Sequence, residues 1–461
     1  MRVTVVGCGY VGLVTATCLA AIGHTVRGIE KDRRKLQSLL AGHCPLFEPG
    51  LAELMYDQCS SGSLSFGESL CAETCDADVI FLAVGTPPCA DGTVNLSYLE
   101  QAAGELKEAL ASLSDMPPIT VAVKSTVPPG TCRRLAAYLN ERAGNRVLLV
   151  HNPEFLREGS AVKDFMEPDR IVVGGQSTEA FRAMRRLYDP IVSREEYFLT
   201  MGWESSELSK YAANAMLAAR ISFMNELSIL CEGYGADIED IRRAIGADQR
   251  IGPAFLRAGC GFGGSCFPKD VAALGHISRA IGHESMFVSA IQTINRHQKE
   301  RFARRVMDKL GRPVSGATIA VWGLAFKADT DDIRESPALD IIRIFLDCGA
   351  RVRASDPRAM DNMRRVFGDA VEWMADPVQC ATGADAVVLL TDWPQYTTLP
   401  FRTIAAAMNR PIIFDGRNCL NREVMRESGF TYYPIGRPPL EDQPSTVPAS
   451  AVGPETGVLP D

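Results

Sequence analysis

Cys266 lies in the run Gly261–Asp270 (GFGGSCFPKD), behind a flexible glycine stretch and close to Lys269. A thiol of ordinary pKa, ~8.5, is only a few per cent thiolate at neutral pH, so a neighbouring ammonium would raise its reactivity. The run reads as a nucleophile with an activating cation, or as a buried structural cysteine. Cys260, six residues earlier, is an alternative nucleophile. In KYAANAMLAA, Lys210 and Asn214 stand four residues apart and share a helix face with Glu207. A helix lysine is usually solvated; this one sits in an apolar, alanine-rich stretch and is expected to look into a cavity. A third stretch, NPEFLREG, ends a strand and places Glu154 and Glu158 where open α/β sheets bind ligands, beyond the strand's C-terminal end.

A fourth constellation binds rather than reacts. Gly7, Gly9 and Gly12 form GxGxxG directly after the first strand, and Glu30 ends the next strand. These glycines allow a tight turn and let a pyrophosphate approach the amides of a helix N-terminus. The carboxylate at position 30 would bond a ribose 2′-hydroxyl and repel a 2′-phosphate, which favours NAD over NADP. Lys31, Arg33 and Arg34 weaken that preference, and FAD is an alternative the motif leaves open.

The elements that must position these groups alternate. Residues 2–6 read as a strand, 11–22 as a helix and VRGIE as a second strand; DADVIFLAV, PITVAVKST and RVLLVHNPEF follow as short Val/Ile/Leu-rich runs. Such runs between helical patterns predict a parallel sheet covered on both faces. From Trp203 to Leu230 apolar residues recur at helical spacing without proline, predicting one long helix, with more helix to about Arg304. After Pro313 the alternation resumes, and GADAVVLLTDWP echoes DADVIFLAVGTP as a weak internal repeat. The fold class is therefore α/β: two doubly wound Rossmann-like domains joined by a helical core. The expected boundaries are 1–200, 201–311 and 312–436, with a proline-rich tail, 437–461, too poor in large apolar side chains to pack.

Composition bounds the partners. The chain has 461 residues, too many for one core, and a net charge of −8, which disfavours nucleic acid. No apolar run approaches the ~18 residues of a membrane span, and the strand at residues 2–6 leaves no room for a secretory signal, so a cytoplasmic protein is expected. The fourteen cysteines are scattered in apolar contexts such as Cys18, Cys231 and Cys348; most are expected to be buried hydrophobes. No second pair at zinc spacing accompanies Cys71 and Cys75, so no metal is expected.

Together the motifs resemble the UDP-glucose/GDP-mannose dehydrogenase family. The resemblance runs from Met1 to about Gly436 and is carried by VVGCGYVGLVTA, PLFEPGLAEL, FLAVGTPP, KSTVPPGT, HNPEFLREGSA, LSKYAANAMLA, GFGGSCFPKD, GLAFKADTDDIRES and FDGRN, in the family's order. It implies oxidation of a nucleotide sugar's CH₂OH to a carboxylate with two NAD⁺, through a cysteine thiohemiacetal and thioester. UDP-glucose is the substrate expected first; GDP-mannose and a UDP-N-acetylhexosamine are alternatives. Carried over by position, Cys266 is the nucleophile, Lys210 the oxyanion stabiliser supported by Asn214, and Glu154 the general base of hydrolysis, with Asp270 and Thr126 positioning water. The same resemblance assigns NAD contacts to Tyr10, Val11, Glu30, Lys35, Val84, Thr86, Ser125, Thr126, Glu158, Lys269 and Arg334. It assigns the substrate to Glu154, Phe155, Leu156, Arg157, Lys210 and Asn214, to the loop bearing Phe255, Leu256, Arg257, Phe262 and Gly263, and to Phe326, Lys327 and Arg417. Arg250 is implied to reach across a dimer interface built on the helical core, so a homodimer or higher homo-oligomer is expected.

Overall fold

The computed structural model describes residues 1–112, 117–310 and 313–441. The first sheet has eight strands: β1 (Arg2–Val6), β2 (Thr25–Ile29), β3 (Leu64–Gly67), β4 (Val79–Leu82), β5 (Ile119–Val123), β6 (Val147–His151), β7 (Ile171–Gly174) and β8 (Phe198–Met201). Their order is β3-β2-β1-β4-β5-β6-β7-β8. All pairings are parallel except β6–β7, which meet antiparallel at His151 and Gly174 alone. Alternate residues divide between two cores, as a period of two demands. Val79 and Phe81 of β4 face one cluster, whereas Ile80 and Leu82 face the other.

The second sheet comprises β9 (Thr318–Trp322), β10 (Arg351–Ser355), β11 (Val371–Trp373), β12 (Ala386–Leu389), β13 (Ile412–Asp415) and β14 (Thr431–Pro434). Its order, β11-β10-β9-β12-β13-β14, repeats that of the first six strands, and every pairing is parallel. The echo between DADVIFLAV and GADAVVLL is thus a repeat of whole lobes, since β4 and β12 take the same place.

Between the sheets runs the helix Trp203–Tyr234, 32 residues long and ended by Gly235 in the left-handed region. It extends four residues past Leu230 because no breaker intervenes before that glycine. Helices Phe267–Ala280 and Met286–Lys309 pack on it. The long helix buries a polar face, and two groups near its start tie it to the first lobe. Ser206 pairs with His151, and Glu207 accepts from the amides of Gly130 and Cys132 at the start of helix Thr131–Ala143.

Residues 437–441, the beginning of the segment expected to lack packing, are held: Arg437 bonds Asp237 and Leu440 bridges Tyr432. The rest of that tail lies outside the described residues. Cys18 and Cys231 are buried, but Cys348 is exposed, because it sits at the C-terminal end of helix Pro337–Asp347 where the chain turns out to solvent.

Candidate active site

Loops at the C-terminal ends of β1, β4, β5 and β6 and the cysteine loop border a cavity of about 1310 Å³. At its cofactor end, Gly7 adopts φ +92°, and a Cβ at Gly12 would stand 1.8 Å from Gly7 O. The helix Tyr10–Ala21 then begins with amide donors that have no partner within the helix, at the positive end of its dipole. Glu30, nearly buried, follows β2. This turn, packed so closely on the helix that Gly12 has no room for a side chain and open at Gly9, fits the pyrophosphate and ribose of NAD. Tyr10, Val11, Val84, Thr86, Ser125, Thr126, Glu158, Lys269 and Arg334 line the same cavity. Lys35 is exposed outside it.

The second lobe has the same turn with a different outcome. Gly7 and Gly323 share φ +92°, and their amides donate to the last residues of β2 and β10 respectively, Ile29 and Ser355. The next residue in each lobe is acidic. Glu30 accepts from Asp32 N, whereas Asp356 accepts from the turn amides Leu324 N and Ala325 N and from Trp393 Nε1. The second turn caps itself with its own carboxylate, so only the first is free for a phosphate.

Beyond the cofactor end the reactive residues converge. Lys210 Nζ is 3.1 Å from Glu154 Oε1, and Glu154 Oε2 accepts from Leu156 N. Burial pushes the Glu154 carboxyl up, but the Lys210 charge, the Leu156 amide and the Lys124 charge outweigh it and hold the carboxyl below its usual value. Burial likewise disfavours the Lys210 ammonium, yet Glu154, Cys266 and Asp270 raise its pKa. Asn214 Nδ2 donates to Asp270 Oδ2 at 2.6 Å, and Lys269 Nζ to Asp270 Oδ1 at 2.6 Å.

That last bond corrects an expectation. Lys269 does not activate Cys266; it neutralises Asp270 on the first turn of helix Phe267–Ala280, where Cys266 is the N-cap. Burial and the charge of Glu154 raise the Cys266 thiol, and Lys210 is the cation that pulls it down. Cys260 is fully buried, its sulfur facing Leu390 O of the second lobe.

The glycines of the cysteine loop make room for that lobe. A Cβ at Gly263 would lie 2.2 Å from Glu335 O, and Gly264 N donates to Arg334 O. Three side chains that spacing alone did not single out hold the loop in place. Asn295 bonds both the N–H and the C=O of Phe262, Gln298 donates to Gly259 O, and Asn225 accepts from Gly259 N. Their signal in the sequence was faint, because the helix faces that carry them also hold polar neighbours such as Ser222, Ser228 and Lys299. Phe255, at φ +60°, and Phe262 flank Phe267 with ring centroids 5.9 and 6.1 Å away, whereas Leu256 is buried in the core cluster of the second lobe.

Arg417 is fixed by carbonyls of Leu390, Gly261 and Phe326, and so bridges the second lobe to the cysteine loop. Lys327 is half-buried, facing the charges of Glu158 and Glu48. Of the residues assigned to the substrate, Glu154, Leu156 and Phe262 line the large cavity, and three basic ones are turned to the surface or paired away from it. Arg157 pairs with Asp164, Arg257 is exposed, and Arg250, its side chain 89% exposed, pairs with Asp248. None of them lines the large cavity of its own chain. Phe155 packs between Arg170 and Lys210.

Family models match all three parts of the chain: a UDP-glucose/GDP-mannose dehydrogenase NAD-binding domain over residues 1–192, the central domain over 204–297 and the UDP-binding domain over 320–422. The chain is 43% identical to a UDP-glucose 6-dehydrogenase of Pseudomonas aeruginosa, the match covering 95% of this chain and 98% of that one. It is 40% identical to one of Rhizobium meliloti, over 95% and 100%. Among solved structures, a UDP-glucose dehydrogenase of Pyrobaculum islandicum superposes with a TM-score of 0.87 at 38% identity, over 94% of this chain and 97% of that one. Two sheets that share a six-strand parallel order around a helical centre, an open dinucleotide turn and these matches along its length agree: the chain belongs to the UDP-glucose/GDP-mannose dehydrogenase family.

Proposed function

We propose that the chain is an NAD-dependent 6-dehydrogenase that oxidises UDP-glucose to UDP-glucuronate. The observation that carries this reading is the buried group of Lys210, Glu154, Asn214 and Asp270 gathered around the Cys266 thiol, at the end of a cavity that begins at a dinucleotide turn. Relatives 38–43% identical are named UDP-glucose 6-dehydrogenases, whereas the solved UDP-D-ManNAc dehydrogenase of Pyrococcus horikoshii is 27% identical. That difference supports UDP-glucose over the alternatives.

NAD, when bound, supplies the hydride acceptor for each of the two oxidations. An aldehyde has no second transferable hydride until a nucleophile adds, and Cys266 fills that role by forming a thiohemiacetal at C6. Lys210 stabilises the oxyanion that develops there. Asn214, anchored on Asp270, aligns the same oxygen. Glu154, kept ionised by Lys210, takes a proton from the water that hydrolyses the resulting thioester; Asp270 and Thr126 position that water. Lys327, Arg417 and the loop from Phe255 to Gly263 hold the UDP.

The unit is a homodimer or a higher homo-oligomer. Met216, Phe223 and Leu230 recur every seven residues along the long helix and remain 57%, 54% and 55% exposed. Ile221 and Leu227 are partly covered and Met224 fully, so the two lobes do not supply a partner for the outer stripe. A second copy does. Arg250, turned away from its own cavity, then serves the neighbour's site. No helix among the described residues is long and apolar enough to cross a membrane. A reducing cytoplasm suits a chain that needs its thiol free.

The deciding measurement incubates the protein with NAD⁺ and each of UDP-glucose, GDP-mannose and a UDP-N-acetylhexosamine, counting NADH per sugar consumed. Two NADH per UDP-glucose, with the others far slower, is expected; a single NADH per sugar would refute the four-electron reading.

A further inference from the structure

Behind Glu154 lies a second cavity of about 240 Å³. It shares three wall residues with the large one, Lys124, Glu154 and Leu156, so these form a partition between the two spaces. The far wall contains Tyr188, Asp169 and Arg170, and Asp169 is exposed, which carries the space to the surface. Its size is below the ~300–1,000 Å³ of small-molecule sites and well above the ~10–15 Å³ that one water needs. Its walls are polar. Lys124 is fully buried and donates to Asn152 Oδ1 at 3.2 Å and Tyr188 OH at 3.5 Å. An ammonium has three donors, so one remains without a protein acceptor among the described residues. Glu154 is the one residue of the mechanism above that borders this space, and that mechanism gives Lys124 no role in handling water.

The hydrolytic step raises a supply problem. The large cavity is where the cofactor and the sugar nucleotide lie, and with both in place its water is displaced. Yet the thioester on Cys266 must meet water on the side where Glu154 stands. We propose that the smaller cavity is the water inlet of this half-reaction, with water passing the Lys124–Glu154 partition to reach the acyl carbon. The proposal rests on the reading of Cys266 as the acyl carrier. In the step it serves, the water oxygen bonds to the acyl carbon as the C–S bond breaks, and sulfur leaves as thiolate. Glu154 takes one water proton, and the second is lost as the carboxylic acid ionises. Lys124, whose ammonium is disfavoured by burial and supported by Glu154, orients the incoming water without touching substrate, and is a positioning residue.

Two plugs test the inlet. Ile191 is half-buried and lines only the smaller cavity, and Asp169 stands at its exposed rim, where a substitution leaves the interior untouched. Ile191→Trp and Asp169→Trp are made in the full-length chain, with Ile191→Ala as the loosening control. Each is mixed with UDP-glucose and NAD⁺, quenched during turnover, and weighed by intact mass spectrometry. Either plug is expected to keep the rapid burst of NADH, lower kcat by about tenfold and accumulate acyl-enzyme on Cys266, while Ile191→Ala behaves as the parent. Parent-like turnover without accumulation in a folded plug variant overturns the inlet. Equal accumulation in Ile191→Ala also overturns it, because widening a channel does not block it. One NADH per sugar in the unsubstituted chain would instead remove the functional reading beneath the proposal.

Discussion

Lys210 Nζ and Glu154 Oε1 stand 3.1 Å apart with side chains only 4% and 8% exposed. A pair this buried costs desolvation energy, and removing one partner strands the other's charge. Lys210→Ala is expected to lower kcat by on the order of 10²-fold, through loss of an oxyanion donor. It also changes a pH dependence. The Glu154 carboxyl lies below its usual value, so its contribution to stability is fully present above the unfolded pKa of ~4.3 and is lost as pH falls from there through the lower folded value. Urea unfolding at pH 7 and pH 3 should show a smaller pH difference for Lys210→Ala than for the parent; an unchanged difference and an unchanged kcat would return this lysine to a passive role.

Alkylation by iodoacetamide, followed by peptide mass mapping, reads the thiol directly. Burial and Glu154 raise the Cys266 thiol, so its labelling at pH 7 should be slower than that of a free cysteine and keep climbing above pH ~8.5, where a free thiol levels off. Lys210→Met removes the cation that lowers this pKa and should slow labelling further. Faster labelling in that variant would mean the lysine acts only as a steric shield.

Cys266→Ser should abolish carboxylate formation with sugar and NAD binding retained, because a hydroxyl is a far weaker nucleophile at neutral pH. Cys260→Ser, at a fully buried site facing the second lobe, should leave turnover close to the parent's. The opposite pattern would reassign the nucleophile.

Gly12→Ala places a Cβ 1.8 Å from Gly7 O. Calorimetry should show NAD binding lost and UDP binding kept, since the UDP-binding lobe does not contain this turn. Undiminished NAD affinity would mean the pyrophosphate lies elsewhere.

Asn295→Leu leaves the N–H and C=O of Phe262 without their partners at 2.8 and 3.0 Å. A loss of about 2–4 kcal/mol in urea unfolding is expected. With the cysteine loop slackened, kcat should fall while the Kd for NAD holds. A stability loss with kcat intact would make Asn295 purely structural.

Assembly is tested by mixing. Light scattering should give at least twice the 50.1 kDa chain mass. Arg250→Ala should act chiefly on KM, and a mixture of Arg250→Ala with Cys266→Ser chains should exceed either alone, because one site per mixed dimer regains both groups. No gain after proven subunit exchange would place Arg250 outside the neighbour's site.

Much of this molecule was legible in local pattern. The glycine fingerprint, the Val/Ile-rich strands and the proline-free helix from Trp203 depend on spacing of two, three or four residues, and spacing is a property of the chain itself. The short edge strand β8, half exposed and only four residues long, carries no such periodicity and escaped. So did Asn225, Asn295 and Gln298, whose partners are loop carbonyls and amides more than thirty residues away. Which ammonium governs Cys266 was likewise hidden. Lys269 is the neighbour in sequence, but Asp270 takes its charge, and Lys210 arrives from another helix. The internal repeat announced two similar lobes; it did not say that Asp356 folds onto its own turn while Glu30 leaves the first one open. Charge pairing across space is decided by distance and burial, which only the packed tertiary structure sets.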